Sequence, residues 1–280
     1  LWIQSTFRAH NFDELEEGLR GVDLSSYGGF EVHASCTYSA LYHSEAVAER
    51  VRALFPKGSV GLHVRIHKDN VTVSIDTSGE RLNRRGWRLE NGPAPMRETV
   101  AQCLLRLAKW HPGEALCDPM CGSGTFLIEA ATRGLGLAPG RLRTFSCDDW
   151  IGPGRQLDER ADHGLYVGVD RDGQVLKGAV RNAGRAGVNI DLLSEDARAT
   201  KAPAESGLLM TNPPYGLRLK QGNAYAALGA LLAGEFRQWR AAIVCPDERA
   251  IKALGRKPVE RIRFSQGGVG LILAMFEPTC

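Results

Sequence analysis

Apolar positions along the first 78 residues recur at two different periods. In "NFDELEEGLR" (residues 11–20), Phe12, Leu15 and Leu19 fall at helical spacing behind Asn11, and Glu14 stands three residues later, as in a capping box. "GFEVHASC" alternates as a strand does, and "SEAVAERVRALF" returns to helical spacing behind Ser44, the expected cap. "LHVRI" and "VTVSI" alternate on either side of Lys68-Asp69-Asn70 and predict a hairpin. Helix, strand, helix and hairpin make a small α+β unit.

From Pro95 the pattern changes to short apolar strands that alternate with amphipathic helices. "RETVAQCLLRLAKW" is a helix with Val100, Leu104 and Leu107 on one side, and "EALCDP" and "LYVGVD" are strands. "GTFLIEAATRG" and "GQVLKGAVRNAGRAG" are the helices that follow them, with residues 136–163 a long insertion. "IDLLSED", "SGLLMTNPP" and "RAAIVCPD" predict three further strands, with "YAALGALLAGEFRQW" and "ERAIKALG" as helices and "VERIRF" and "VGLILAMFE" as a closing hairpin. Such alternation predicts an α/β fold with a mainly parallel sheet covered on both faces. Between the two patterns, "GERLNRRGWR" (residues 79–88) is rich in charge and has no apolar period, which predicts a linker over 79–94. The expected domains are therefore 1–78 and 95–280.

Composition narrows the class. The chain has 280 residues, 43% hydrophobic and 24% charged, and no apolar run reaches the roughly 20 residues that a membrane helix needs. Seven cysteines at irregular spacing do not form a disulfide framework, which points to a reducing cytoplasm. Cys117 and Cys121 lack a second ligand pair, so no metal is expected. A net charge of +3 is compatible with a polyanionic partner. The chain begins at Leu1 rather than Met, and is expected to lack its native start.

Ligands of an open α/β sheet collect at the carboxyl ends of its strands, and four loops there carry pointed chemistry. In "DPMCGSGT" (118–125), Gly122 and Gly124 let the backbone approach a ligand, and the helix that starts near Thr125 directs amide N–H groups into the same space. The third glycine of a dinucleotide fingerprint is absent, which disfavours a nicotinamide dehydrogenase. Asp170 ends the next strand, where a carboxylate can accept from both ribose hydroxyls, and Asp196 ends the third, where it can receive an adenine amino group. Alone, either acid is a helix cap; together they favour a nucleoside. In "TNPPYG" (211–216), Pro213 and Pro214 fix the backbone and remove two donors. The Asn212 side-chain oxygen and the Pro213 carbonyl can then hold the two hydrogens of an exocyclic amine while Tyr215 stacks on its ring.

Taken in order, "DPMCGSGTFLIEAA", "GVDRD", "EDA" and "TNPPYG" resemble the motifs of class I S-adenosylmethionine-dependent methyltransferases that act on amino nitrogens. "SGERLNRRGWR" and "APGRLRTFSCDDW" are similar to the THUMP-containing RNA guanine-N2 methyltransferases. The resemblance implies a Rossmann-like domain with a seven-stranded sheet and a C-terminal antiparallel hairpin, behind a THUMP-like RNA-binding domain. It implies S-adenosylmethionine as cofactor, held by Thr99, Asp118, Pro119, Cys121, Gly122, Gly124, Thr125, Asp170, Asp196, Ala197 and Asn212. It also implies Asn212, Pro213, Pro214 and Tyr215 as the catalytic corner, and structured RNA as substrate, 23S rRNA before tRNA; a monomer is expected, with no metal and no membrane partner. Arg81, Arg84, Arg85 and Arg88, between an RNA-docking and a catalytic domain, become candidates for phosphate contact. Adenine-N6 methylation, protein-glutamine methylation and a noncatalytic RNA-binding assembly factor stay open as alternatives.

Overall fold

The computed structural model describes residues 1–90, 92, 96–151, 161, 163–214 and 222–279. The chain packs as two units, Leu1–Arg81 with Thr144–Arg155, and Leu82–Arg143 with Gln156–Cys280.

The first unit runs β1 (Trp2–Arg8), α1 (Phe12–Arg20), β2 (Phe30–Thr37), α2 (Ser44–Leu54), β3 (Val60–His67) and β4 (Asn70–Ile75). Its sheet has the order β1-β4-β3-β2, parallel only between β2 and β3, which α2 connects. Alternation on the inner strands turns Leu62, Val64, Ile66, Val71, Val73 and Ile75 onto Leu15, Leu19, Val47 and Val51 of the helices. Asn11 caps α1 as expected: its Oδ1 accepts from the Glu14 amide at 2.9 Å, and the Glu14 carboxylate accepts from the His10 amide at 2.8 Å. The cap of α2 differs from expectation. His43 Nδ1 accepts from the Ala46 amide at 3.3 Å, because the Ser44 hydroxyl is occupied by the Cys36 amide at 3.0 Å. Strand β1 is absent from the sequence reading; it lies at the edge of the sheet and only weakly alternates.

The second unit runs α3 (Glu98–Leu107), β5 (Leu116–Asp118), α4 (Thr125–Gly134), then α5 (Asp148–Ile151), which belongs to the first unit, followed by β6 (Tyr166–Asp170), α6 (Gly173–Arg185), β7 (Asp191–Ser194), β8 (Leu208–Thr211), α7 (Gly222–Ala233), β9 (Arg240–Cys245), α8 (Glu248–Ala253), β10 (Glu260–Gln266) and β11 (Val269–Phe276). The seven strands lie in the order β10-β11-β9-β8-β5-β6-β7, with β11 antiparallel to both neighbours and the rest parallel. One apolar cluster joins α3, α4 and α6 to the sheet and another joins α7 and α8 to it, so the strands are covered on both faces. This is the class I methyltransferase fold.

Three stretches depart from the sequence reading. Helix α7 stops at Ala233 rather than running to Trp239; Phe236 and Trp239 instead pack edge to face at 5.1 Å and close the core. The insertion read into the second domain returns part of itself to the first unit, where Trp150 packs against Tyr27 at 5.0 Å and the Cys147 amide donates to Thr77 O. The stretch expected to be a solvated linker contains Trp87, which is 1% exposed. Among the described residues no helix is long and apolar enough to cross a membrane.

Candidate functional site

Strands β8, β5, β6 and β7 are consecutive and parallel, so their carboxyl ends line up at the strand spacing of about 4.8 Å. The strand order reverses between β5 and β8, the switch point at which an α/β sheet opens a crevice.

The loop after β5 is held rather than loose. The Cys121 amide donates to Val169 O at 2.9 Å, the Gly122 amide to Asp170 Oδ2 at 3.0 Å, and the Gly124 amide to Cys121 O at 2.9 Å. Gly122 and Gly124 sit at φ of 53° and 79°, a region that disfavours side chains. Nothing lies within 4 Å of where a Gly122 Cβ would stand, whereas one on Gly124 would be in ordinary contact with Ala179 and Ile128 at 3.4 Å. The first glycine therefore faces open space, and the second is required by its left-handed backbone at the start of α4 rather than by crowding. Thr125 begins α4, and Pro119 is part of the same buried turn.

Asp118, at the end of β5, is 2% exposed and accepts from the Met120 amide at 3.1 Å. Burial pushes its carboxyl up to about 7, opposed by the Thr211 hydroxyl and the Met120 amide and aided by Asp170. Burial also holds the Cys121 thiol well above its ordinary range, which makes it a packing residue and not a nucleophile.

Asp170 engages one backbone amide with each oxygen, Gly122 with Oδ2 and Asp172 with Oδ1 at 2.9 Å. Each oxygen keeps a second lone pair for a hydroxyl. Asp196 has less to offer. It accepts from the Arg198 amide at 2.9 Å and forms a two-pronged pair with the Arg198 guanidinium at 2.9 and 3.0 Å, which holds its carboxyl well below the usual range. Ala197 follows it in a single 3₁₀ turn.

At the end of β8, Thr211 is fully buried, Pro213 is buried and Pro214 is exposed. The Asn212 Oδ1 is buried without a hydrogen-bond partner. A buried amide oxygen left so is costly, and it is able to accept from an incoming N–H. Tyr215 lies outside the described residues. Thr99 sits half-buried in the first turn of α3, beside Glu98.

Two of the four candidate arginines turn inward. Arg85 pairs with Glu129 at 3.5 Å and Arg88 with Glu98 at 3.2 Å, and all four side chains are nearly buried. Arg88 also donates to Thr125 Oγ1 at 2.6 Å and Met96 O at 2.9 Å, and the Trp87 indole donates to Glu129. These arginines support the helix that follows the glycine loop, a role the sequence reading missed. Glu129 was the available signal, a lone acid inside the apolar run "FLIEAA". Arg81 and Arg84 are exposed. Two positions beyond Glu90, a Cβ on Gly92 would lie 4.0 Å from the Ser123 amide nitrogen, so this segment passes beside the glycine loop.

Known proteins agree with this geometry. The chain is 29% identical over 99% of its length to the candidate RNA methyltransferase slr0064 of Synechocystis, of which it covers 82%. It is 34% identical over 75% of its length to the ribosomal RNA large subunit methyltransferase K/L of Vibrio campbellii, but spans only 33% of that protein. Among solved structures, the candidate methyltransferase SMU.472, determined with SAH, superposes with a TM-score of 0.87 at 27% identity, covering 99% of this chain and 83% of that one. A Listeria monocytogenes protein described as a predicted N6-adenine-specific DNA methylase gives the same TM-score and identity over 99% of this chain and 81% of its own. The family described as UPF0020, RMKL-like methyltransferase domain, matches residues 85–274, and the chain belongs to it.

Proposed function

We propose that the protein is a cytoplasmic S-adenosylmethionine-dependent RNA methyltransferase acting on the exocyclic N2 of a guanine, in 23S rRNA before tRNA. The unpartnered, buried Asn212 Oδ1 beside the glycine loop carries this reading. The residues fit the cofactor: Gly122 faces open space, and Asp170 keeps lone pairs for a ribose. Asp118 would accompany the methionine part, and Asp196 and Ala197 the adenine, if the Arg198 pair yields one carboxylate oxygen. S-adenosylmethionine, when bound, supplies an electrophilic methyl group.

The chain's own task is to present the amine. Asn212 Oδ1 and the Pro213 carbonyl accept its two hydrogens and turn its lone pair away from the ring, with Tyr215 stacked on the base. As the nitrogen gains its fourth bond it becomes acidic and releases a proton to water, so no strong base is required. The base has to leave its stack first, at a cost of a few kcal/mol. The first unit, read as THUMP-like, would dock the RNA by shape, helped by exposed Arg81 and Arg84.

The likeness to the Listeria protein keeps adenine-N6 methylation as the second reading. Nucleoside mass spectrometry separates them. A deletion strain that lacks one N2-methylguanosine in its ribosomal or transfer RNA supports the first; unchanged RNA with lost N6-methyladenine in DNA replaces it with the second.

A further inference from the structure

Four strand termini of the first unit form a row across its sheet: Arg8 stands opposite Asn70, Asn70 opposite His67, and His67 opposite Thr37. Beyond that row three connections meet, residues 9–11, 38–43 and 68–69, and Asp69 ties them together. Its carboxylate accepts from the Ala40 amide at 2.8 Å and faces the His10 ring at 3.4 Å, its amide donates to Ser39 Oγ at 3.1 Å, and its carbonyl accepts from the Ala9 amide at 3.0 Å. Thr37 adds three bonds. Its carbonyl accepts from Lys68 N at 3.2 Å and from the Ser39 hydroxyl at 2.9 Å, and its own hydroxyl bonds His67 Nδ1 at 2.9 Å.

This latched corner carries the two most exposed large hydrophobic side chains of the described structure, Tyr38 at 86% and Tyr42 at 79%. Between them Leu41 is buried and anchors the loop. Tyr38 has φ of +51°, a left-handed conformation that a bulky aromatic residue seldom adopts. Lys68 and Asp69, also left-handed, are explained as the two-residue turn of the hairpin; Tyr38 lies in no such turn. The ring meets His67 in a T-shaped contact at 5.9 Å and is otherwise exposed to solvent. Arg8, His10, His43 and Lys68 are exposed at this end of the unit; of the carboxylates there, Asp69 is committed to the latch and Glu14 accepts from the His10 amide at 2.8 Å.

A strained backbone and a hydrogen-bonded latch that hold two aromatic rings out into water make sense for a surface that receives flat, negatively charged partners. Arginine and lysine supply phosphate contacts and exposed aromatic rings accept unpaired bases without regard to their identity. We propose that Tyr38 and Tyr42 form a stacking platform for unpaired nucleotides of the RNA substrate, separate from the methyl-transfer site and resting on the reading of that substrate as RNA.

The test uses the full chain and a fluorescent single-stranded RNA of roughly a dozen nucleotides, read by anisotropy, alongside methyl transfer to bulk ribosomal RNA and calorimetric titration with S-adenosylmethionine. Each of Tyr38→Ala and Tyr42→Ala is expected to weaken RNA binding about tenfold and the pair more, with cofactor affinity unchanged and with Tyr38→Phe and Tyr42→Phe near the parent. Tyr38→Trp adds a direct signal, an emission quenched as the RNA binds. Alanine variants that bind RNA as the parent does, while the parent transfers methyl groups, overturn the platform and leave the proposed function standing. A parent that neither binds nor methylates any RNA overturns both. Self-association of the parent that the alanine variants abolish, with RNA binding unchanged, reassigns the rings to a protein interface and also overturns it.

Discussion

The two units keep their charge in different places. Among the described buried polar side chains, Ser74 alone belongs to the first unit, whereas Glu98, Asp118, Ser123, Thr125, Glu129, Thr132, Asn182, Thr200 and Thr211 belong to the second. The interior of the first unit is apolar: one face of its sheet meets two helices, and the ion pairs of Glu16 and Glu45 with their arginines lie at the surface. The second takes charge into its interior close to the glycine loop, where burial is expensive and needs a compensating purpose. Buried polarity thus distinguishes the two units.

That contrast is open to direct attack. The largest expected effect is on stability: Arg88→Ala leaves Glu98 buried without its partner and is expected to cost about 3–5 kcal/mol in chemical denaturation. Next, Asn212→Ala is expected to lower kcat at least about 100-fold with cofactor affinity, measured by calorimetry, within a few-fold, whereas Asp170→Ala weakens the cofactor first. Equal loss of cofactor affinity in both variants would refute these roles.

A third effect is a slope with pH. The folded Asp118 carboxyl titrates near 7 against an ordinary 3.8, so the folded state holds the proton more tightly than the unfolded chain. Its contribution is most favourable at acid pH, declines as pH rises through the interval from about 4 to about 7, and is level above that. Asp118→Asn is expected to flatten the decline in denaturation midpoints measured from about pH 5 to about pH 8. The smallest effect belongs to the first unit: Glu16→Ala removes surface pairs with Arg20 and Arg50 and is expected to cost less than about 1 kcal/mol. A cost as large as that of Arg88→Ala would erase the distinction between the units.

Much of this was readable in the chain. The strand–helix alternation, the glycine loop, Asp170 and the Asn-Pro-Pro corner all depend on local chemistry: periodicity, positive φ at glycine, and prolines that cannot donate. What escaped depends on partners remote in sequence. Trp87 has no apolar neighbour at helical spacing and only the exposed Leu89 at strand spacing, so the acid 42 residues later shows why it is buried. The Arg198 grip on Asp196 is local, yet no pattern distinguishes such a pair from a free carboxylate. The left-handed Tyr38 and its exposed ring are equally silent in the sequence, since its latch comes from a turn about 30 residues away.

The inward arginines also bear on where the catalytic half of the chain begins. A fragment cut at residue 95, where the strand–helix alternation starts, would keep Glu98 and Glu129 while discarding the guanidiniums that neutralise them and the indole between. Anyone dissecting the protein into separately expressed pieces should therefore start the enzyme piece no later than Leu82, ahead of "RRGWR".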